Sequence, residues 1–193
     1  MKVLAINGSP RKNGNTSILI NKVLDEIKKE GIETEVFQLG GNLVRGCTGC
    51  RQCGEIQNKR CILEDDIIND CIAKMIEADG IILGSPVYYS NVTTEMKALI
   101  DRSGVVTKSN GALLRHKVGA SVVALRRGGN GHAFNSMNYL FLANEMIIPG
   151  SIYWNMGLGK APGEVNDDED GMKNMRNLGQ NMAWLLKKIN NYT

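Results

Sequence analysis

Lys2-Val3-Leu4-Ala5-Ile6 runs directly into Asn7-Gly8-Ser9-Pro10-Arg11-Lys12-Asn13-Gly14-Asn15-Thr16-Ser17. The first five residues form an apolar run of strand length. The next eleven form a loop rich in hydroxyls and amides. Beyond it, Ile20, Val23, Leu24 and Ile27 recur at helical spacing. A strand, a small-residue loop and a helix N-terminus in succession make an anion site, because backbone N–H groups and the helix dipole point the same way. Arg11 adds fixed positive charge, and Ser9, Asn15, Thr16 and Ser17 add short donors. No Gly-Lys-Ser/Thr follows, so this is not a Walker A loop. The G-x-G-x-x-G spacing of dinucleotide sites is also absent. A polar loop ending in a helix cap at Asn15 or Thr16 would use the same residues, so the loop alone leaves both readings open.

Working outward, apolar strands and amphipathic helices alternate. Thr34–Leu39 reads as a second strand. Gly40 to Glu64 is a long insertion with little periodicity. Asp65 and Asp66 open a second helix at the end where negative charge is favoured, and Ile68, Ile72, Met75 and Ile76 form its apolar stripe. Gly80–Ser85 is a third strand and Thr93–Ser103 a third helix. Val118–Leu125 is apolar nearly throughout, as a parallel strand covered on both faces requires. A fourth helix is expected over His132–Asn144, and Met146–Ile148 is expected to start the fifth strand. Met175, Leu178, Met182, Leu185 and Ile189 mark a last helix. This alternation predicts an α/β fold with one parallel sheet and helices on both faces. With 193 residues, one domain over 1–193 is expected, residues 40–64 being its insertion.

Two more loops share the character of the first. The third strand ends in Gly84-Ser85-Pro86-Val87-Tyr88-Tyr89-Ser90-Asn91, and the fourth in Leu125-Arg126-Arg127-Gly128-Gly129-Asn130-Gly131. Ligands of open α/β sheets bind outside the carboxyl ends of the strands, at the edge these three loops share. Pro86 and the tyrosines can lie along a flat ring. Gly128 and Gly129 let backbone N–H groups come close to ring heteroatoms. Each could be an ordinary turn, but three such loops on one edge point to a ligand.

The strings Gly8-Ser9-Pro10-Arg11-x-x-Gly14-Asn15-Thr16-Ser17 and Gly84-Ser85-Pro86-Val87-Tyr88-Tyr89 resemble the NADPH-dependent FMN reductase branch of the flavodoxin-like superfamily. The resemblance covers most of the chain. It implies a three-layer sandwich whose five-stranded parallel sheet has the order 2-1-3-4-5. It implies FMN as cofactor, with Ser9, Arg11, Asn15, Thr16 and Ser17 on the phosphate. Pro86, Val87, Tyr88, Tyr89, Ser90 and Asn91 would contact the isoalloxazine and ribityl chain, and the Gly128-Gly129 loop would close over the ring.

The insertion after strand two carries Cys47-x2-Cys50-x2-Cys53-x7-Cys61. A C-x2-C turn brings two thiolates to a common inorganic core, and its immediate repeat supplies a third ligand, as in bacterial ferredoxin strings. Cys61 would complete a [4Fe–4S] site, although no Cys-Pro follows as it does in ferredoxins. Structural zinc usually takes two separated cysteine pairs, and a metal-free thiol loop is the third possibility. In a flavodoxin-like chain, this loop resembles that of the iron–sulfur flavoprotein family. That resemblance makes Cys47, Cys50, Cys53 and Cys61 the cluster ligands, the seven-residue gap being long for the family. It also implies a homo-oligomer, dimer or tetramer, in which one subunit's cluster approaches another's FMN.

The bulk composition sets the remaining limits. The chain is 42% hydrophobic and 22% charged with net charge +3, too weak a bias to imply nucleic acid or an anionic membrane as partner. No apolar run reaches membrane-spanning length. The short apolar start is unlike a secretory signal, and five cysteines, an odd number, argue against a disulfide framework. A cytoplasmic protein is expected. Cys71 falls on the apolar stripe of the second helix and reads as a core thiol. His116 and His132 lack partners at ligand spacing, although His132 follows the third loop. Glu164–Asp170 reads as a solvated helix entry, and Tyr153-Trp154 as a rim or subunit contact.

FMN brings its own chemistry, so no catalytic acid–base group is expected. The expected activity is electron transfer between a reduced donor (ferredoxin or NAD(P)H) and a small-molecule or protein acceptor. A cluster-free NAD(P)H-dependent FMN or quinone reductase, and a non-catalytic electron carrier, remain as alternatives.

Overall fold

In the computed structural model, residues 1–190 are described. Five parallel strands form one sheet in the order β2-β1-β3-β4-β5. They are β1 (Lys2–Asn7), β2 (Glu33–Gln38), β3 (Gly80–Pro86), β4 (Val118–Leu125) and β5 (Met156–Leu158). The helices are α1 (Asn15–Lys29), α2 (Gln52–Ile56), α3 (Ile68–Glu77), α4 (Thr94–Ser109), α5 (Asn130–Ala143) and α6 (Glu169–Asn190), with a 3-10 turn at Glu164–Asp167. The sheet order, the flanking helices and the cysteine loop after β2 are those expected from the sequence.

The alternation along each strand divides the core into two layers. Val3, Ala5, Ile82, Val122 and Ala124 pack under α1 and α6, against Leu19, Val23, Met175 and Leu178. Leu4, Ile6, Ile81, Leu83 and Val123 face the other side, against Ile72, Met96, Leu99 and Phe141. All eight residues of β4 are buried, as an interior parallel strand demands. β2 is the edge. Its Glu33 and Glu35 carry charge there, which discourages pairing with another chain. Lys28 and Lys29 end α1 and Lys187 and Lys188 end α6, each at the negative pole of its helix.

Three expectations change. Met146–Ile148 does not begin the fifth strand. Ile147 makes a single bridge to Val118, and Pro149-Gly150 then breaks the edge. The chain leaves the sheet and returns to β4 only at Met156–Leu158. Pro cannot donate to a ladder, so the apolar run before it cannot be extended into a strand. The third sequence helix, α4, runs on through Gly104 to Ser109 rather than stopping at Ser103. The cysteine insertion also contains a short helix, α2, for which the sequence shows no period.

Candidate functional site

The carboxyl ends of β1, β3 and β4 bring the three unusual loops together around a cleft of about 150 Å³. Ser9, Arg11, Asn15 and Thr16 line it from the first loop, Pro86, Val87 and Tyr88 from the second, and Ala124, Leu125 and Arg126 from the end of β4. Gly159 and Lys160, just past β5, complete the wall. Of the expected residues, Ser17, Tyr89, Ser90, Asn91, Gly128 and Gly129 are not part of that lining. Gly159, Lys160 and Arg126 are additions. Gly159, with Gly157 and Tyr153-Trp154, reads in the sequence only as a rim or subunit contact, and Lys160 carries no signal, because its place depends on where the interrupted edge strand rejoins the sheet.

The first loop is rigidly braced. The Asn7 side chain accepts the Ser9 N–H at 3.1 Å and donates to Gln38 Oε1 at 2.9 Å. Gln38 Nε2 donates to the carbonyls of Ser9 and Gly40, both at 2.7 Å. The Ser9 hydroxyl accepts the Arg11 N–H at 3.2 Å. A Cβ on Gly40 would fall 2.3 Å from the Ser9 carbonyl carbon, so glycine alone admits this approach. Helix α1 begins at Gly14 without a side-chain cap, which leaves its first N–H groups facing the cleft without a side-chain acceptor. That is the donor set an anion takes. The Asn15 side chain has a different duty. It donates to the Ala161 carbonyl at 2.9 Å and accepts the Gly163 N–H at 2.8 Å, tying α1 to the segment after β5.

The second and third loops meet. Tyr88 and Asn91 exchange backbone hydrogen bonds at 2.8 and 3.0 Å, which forces Tyr89 and Ser90 to positive φ of 44° and 62°. Such conformations cost non-glycine residues energy and gather at functional sites. The turn leaves Tyr89 fully exposed and Tyr88 about half exposed. Gly129, at φ 86°, lies so close that a Cβ there would sit 2.7 Å from Ser90 Cα. Val87 N–H donates to Ala124 O at 2.9 Å, holding the second loop to the end of β4. His132 is exposed on α5, and His116 is exposed at the opposite end of β4.

A second cavity, of about 260 Å³, lies between the cysteine insertion and α4. Cys47, Cys50, Cys53 and Cys61 all line it, together with Arg102, Val105 and Val106. Cys53 and Cys61 are each 8% exposed, whereas Cys47 and Cys50 are open to solvent. The buried pair is anchored through its backbone. Asn110 Nδ2 donates to the Cys53 carbonyl at 2.9 Å. The Asn69 amide accepts the Cys61 N–H at 2.8 Å and donates to its carbonyl at 2.9 Å. The Gln52 backbone N–H and the Thr48 hydroxyl hold the Cys50 thiol below its ordinary pKa, favouring the thiolate that metals bind.

A single zinc ion needs its thiolates about 2.3 Å from one point. A four-iron core takes each thiolate on a different iron, and the four thiols around one cavity are the ligand set it would need. Cys71 stands apart in the core, fully buried, and burial pushes its thiol pKa up. It is the inert thiol the sequence predicts.

Arg102, which lines this cavity, belongs to a buried ion pair. Arg102 and Asp66 side chains are 0% and 1% exposed and in direct contact. Burial would push the Asp66 carboxyl up, but the Arg45 backbone N–H and the Arg102 guanidinium outweigh it and hold it below the usual carboxylate range. Arg102 does not stand out in the sequence, because a lone arginine within a helix has no local signature, and Asp66 reads there only as negative charge at the entry to the second sequence helix.

Known proteins place these features in a family. Residues 1–161 match the NADPH-dependent FMN reductase family. An iron–sulfur flavoprotein of Methanocaldococcus jannaschii is 41% identical over 98% of this chain and 99% of its own. One from Methanosarcina thermophila is 33% identical over 98% and 97%. Among solved structures, the NAD(P)H:quinone oxidoreductase of Methanothermobacter marburgensis superposes with a TM-score of 0.67 at 15% identity, covering 94% of this chain and 96% of that one. A WrbA-like flavodoxin from Agrobacterium tumefaciens gives 0.66 at 14%, covering 97% and 98%. At such identities the two structures speak for the flavodoxin-like fold alone. No helix among the described residues is long and apolar enough to cross a membrane. With relatives this similar over nearly their full length, the chain belongs to the iron–sulfur flavoproteins of the NADPH-dependent FMN reductase family, flavin-dependent oxidoreductases.

Proposed function

We propose that this protein transfers electrons between a reduced donor, ferredoxin or NAD(P)H, and a small-molecule or protein acceptor, using FMN in the first cleft and a [4Fe–4S] cluster in the cysteine cavity. The observation that carries the reading is the pair of cavities on one chain. One is an uncapped helix N-terminus among three strand-end loops, and the other is lined by four thiols. FMN supplies both hydride and single-electron chemistry and a cluster only the latter, so a protein holding both converts between them.

The chain's own residues have distinct tasks. Ser9, Arg11, Thr16 and the first N–H groups of α1 bind the phosphate of FMN, with Ser17 beside them. Asn15 shapes this end of the cleft by holding the segment that carries Lys160. Pro86, Val87 and Tyr88 flank the ring, while Tyr89, Ser90 and Asn91 form the turn that orients them. Gly128 and Gly129 close the loop over it. Cys53 and Cys61 are preplaced ligands, and the exposed Cys47–Cys50 turn closes onto the core. We assign residues 1–193 to one domain, with 40–64 as the cluster loop, in a cytoplasmic setting that keeps the thiols reduced.

Val105 links the cysteine cavity to an exposed apolar groove between α4 and α5, lined also by Ile100, Tyr139 and Leu140. Tyr139 and Leu142 are 65% and 61% exposed. We place a second copy of the chain on this face, in a homodimer or homotetramer that would bring a partner's FMN towards the cluster.

Iron, acid-labile sulfide, zinc and FMN per chain, measured on anaerobically purified protein, test this function. Near four iron and four sulfide with one FMN is the expected result. One FMN without iron or zinc would overturn the cluster and leave an NAD(P)H-dependent FMN or quinone reductase.

A further inference from the structure

Arg102 stands out among the charged residues. It is the largest fully buried side chain among the described residues. Taking a guanidinium out of water is costly, and one carboxylate repays that only when the remaining donors are satisfied too. Two of its nitrogens have hydrogen-bond partners. Nη1 donates to Asp66 and, at 3.1 Å, to the Arg45 carbonyl, and Nη2 donates to the Leu63 carbonyl at 2.6 Å. Arg45 precedes Cys47 by two residues and Leu63 follows Cys61 by two. One side chain on α4 therefore clamps both ends of the cysteine segment.

The third nitrogen is not satisfied. Nε is buried and has no hydrogen-bond partner. Buried donors without acceptors are rare and expensive, and this one belongs to a residue that lines the cysteine cavity. The cavity's other contributors nearby, Val105 and Val106, offer no side-chain acceptor. The acceptors that a loaded cavity would bring are sulfurs, thiolate or inorganic sulfide, carrying net negative charge.

We propose that the Nε–H of Arg102 donates a hydrogen bond to a sulfur of the iron–sulfur cluster and so sets its reduction potential. The inference rests on the cluster assignment made above. A buried N–H and a fixed positive charge beside the sulfurs both favour the more negative, reduced cluster and raise its potential. Asp66 offsets part of that charge and fixes the guanidinium plane, so that Nε remains free for sulfur while the clamp is held. Arg102 thereby couples loop position to cluster electronics. A lysine there would keep the charge, but its flexible ammonium cannot hold the same fork of contacts.

The test uses the full chain, reconstituted anaerobically after growth on arginine labelled with 15N at Nε. Pulsed electron paramagnetic resonance of the reduced cluster reads whether a labelled nitrogen is magnetically coupled to it. The expected result is a 15N coupling that persists in Arg45→Lys, Arg51→Lys and Arg60→Lys and vanishes in Arg102→Lys. The last variant should also show a lower cluster midpoint potential with the FMN potential unchanged. A residue acting only as a clamp would shift the potential at most through the loop and would give no 15N coupling in the parent chain. Should Arg102→Lys fail to fold, persistence of the coupling in the other three variants assigns it to Arg102. A fully loaded cluster with no 15N coupling would overturn this inference and leave the cluster standing. Failure to incorporate iron and sulfide would overturn the cluster assignment and the inference with it.

Discussion

The Thr93 hydroxyl donates to the Gly8 carbonyl at 2.8 Å and, as the cap of α4, accepts the Met96 N–H at 3.3 Å. The Thr93 N–H in turn reaches Ser85 Oγ at 3.1 Å. One fully buried threonine thus joins the loop after β1, the end of β3 and the start of the helix whose Arg102 lines the cysteine cavity. The two candidate cofactor sites share this strut.

Thr93→Val keeps the shape of the side chain and removes the strut. It leaves a buried carbonyl and a helix N–H unpaired, and losing such a cap costs about 1–2 kcal/mol. Urea unfolding should show that loss, and fluorescence titration should show weaker FMN binding than in Thr93→Ser, which retains the hydroxyl. Equal stability of the valine and serine variants would refute the strut.

Arg11 is exposed on the loop yet lines the cleft. It is the only arginine in the first loop, and a charge-assisted hydrogen bond to phosphate is worth about 1.5–3 kcal/mol. Arg11→Ala should raise the FMN dissociation constant roughly tenfold or more, with little change in the unfolding midpoint, and added salt should narrow the gap. Unchanged affinity would remove Arg11 from the phosphate site.

The parts of this reading that were legible in the sequence are those set by local chemistry. The Ser9–Ser17 loop stands out through its residue types, although they fit an anion site and a capped turn alike, and β4 announces itself by a nearly unbroken apolar run. The spacing of the four cysteines marks their loop, and the family resemblance is what reads it as a cluster loop rather than a zinc site or free thiols. The parts that were not legible depend on distant contacts. Lys160 reaches the first cleft because Pro149 splits the edge strand. The Asn15 side chain bonds Ala161 and Gly163, 146 and 148 residues away. Arg102 gains its meaning only when α4 packs beneath residues 45–63. Gln38, which braces Ser9, looks like any polar residue at a strand end until β1 and β2 pair.

Glu35 on the edge strand meets Lys2 at 2.7 Å and Lys74 at 2.5 Å. Hydrogen bonds from Lys2 and then Lys74 hold its carboxyl below the ordinary range. A carboxylate with a depressed folded-state pKa contributes stability above its unfolded value of about 4.3, and that contribution fades as pH falls through the lower folded value. Glu35→Gln should therefore be less stable than the parent near pH 7, with the difference shrinking below about pH 4. Thermal unfolding across that window reads the sign directly. A difference that grows on acidification would contradict the triad.

Cys53 and Cys61 are the two cysteines that the fold itself positions, and this separates their role from that of Cys47 and Cys50. Asn110 holds the Cys53 carbonyl and also accepts the Lys59 N–H at 2.9 Å, so the backbone around Cys53 is fixed from α4 whatever its side chain does. Replacing the thiol by a methyl group removes one ligand without releasing the loop. Cys53→Ala should then lower cluster iron and sulfide well below four per chain while FMN stays near one, because no residue of α2 lines the flavin cleft. Iron analysis and the visible absorbance between the flavin bands measure the two independently. Cys71→Ala is the matched control, since its buried thiol lies outside the cavity and should leave both cofactors in place. Full iron occupancy in Cys53→Ala would exclude that thiol as a ligand, and loss of FMN together with iron would show that the cysteine loop supports the flavin cleft as well.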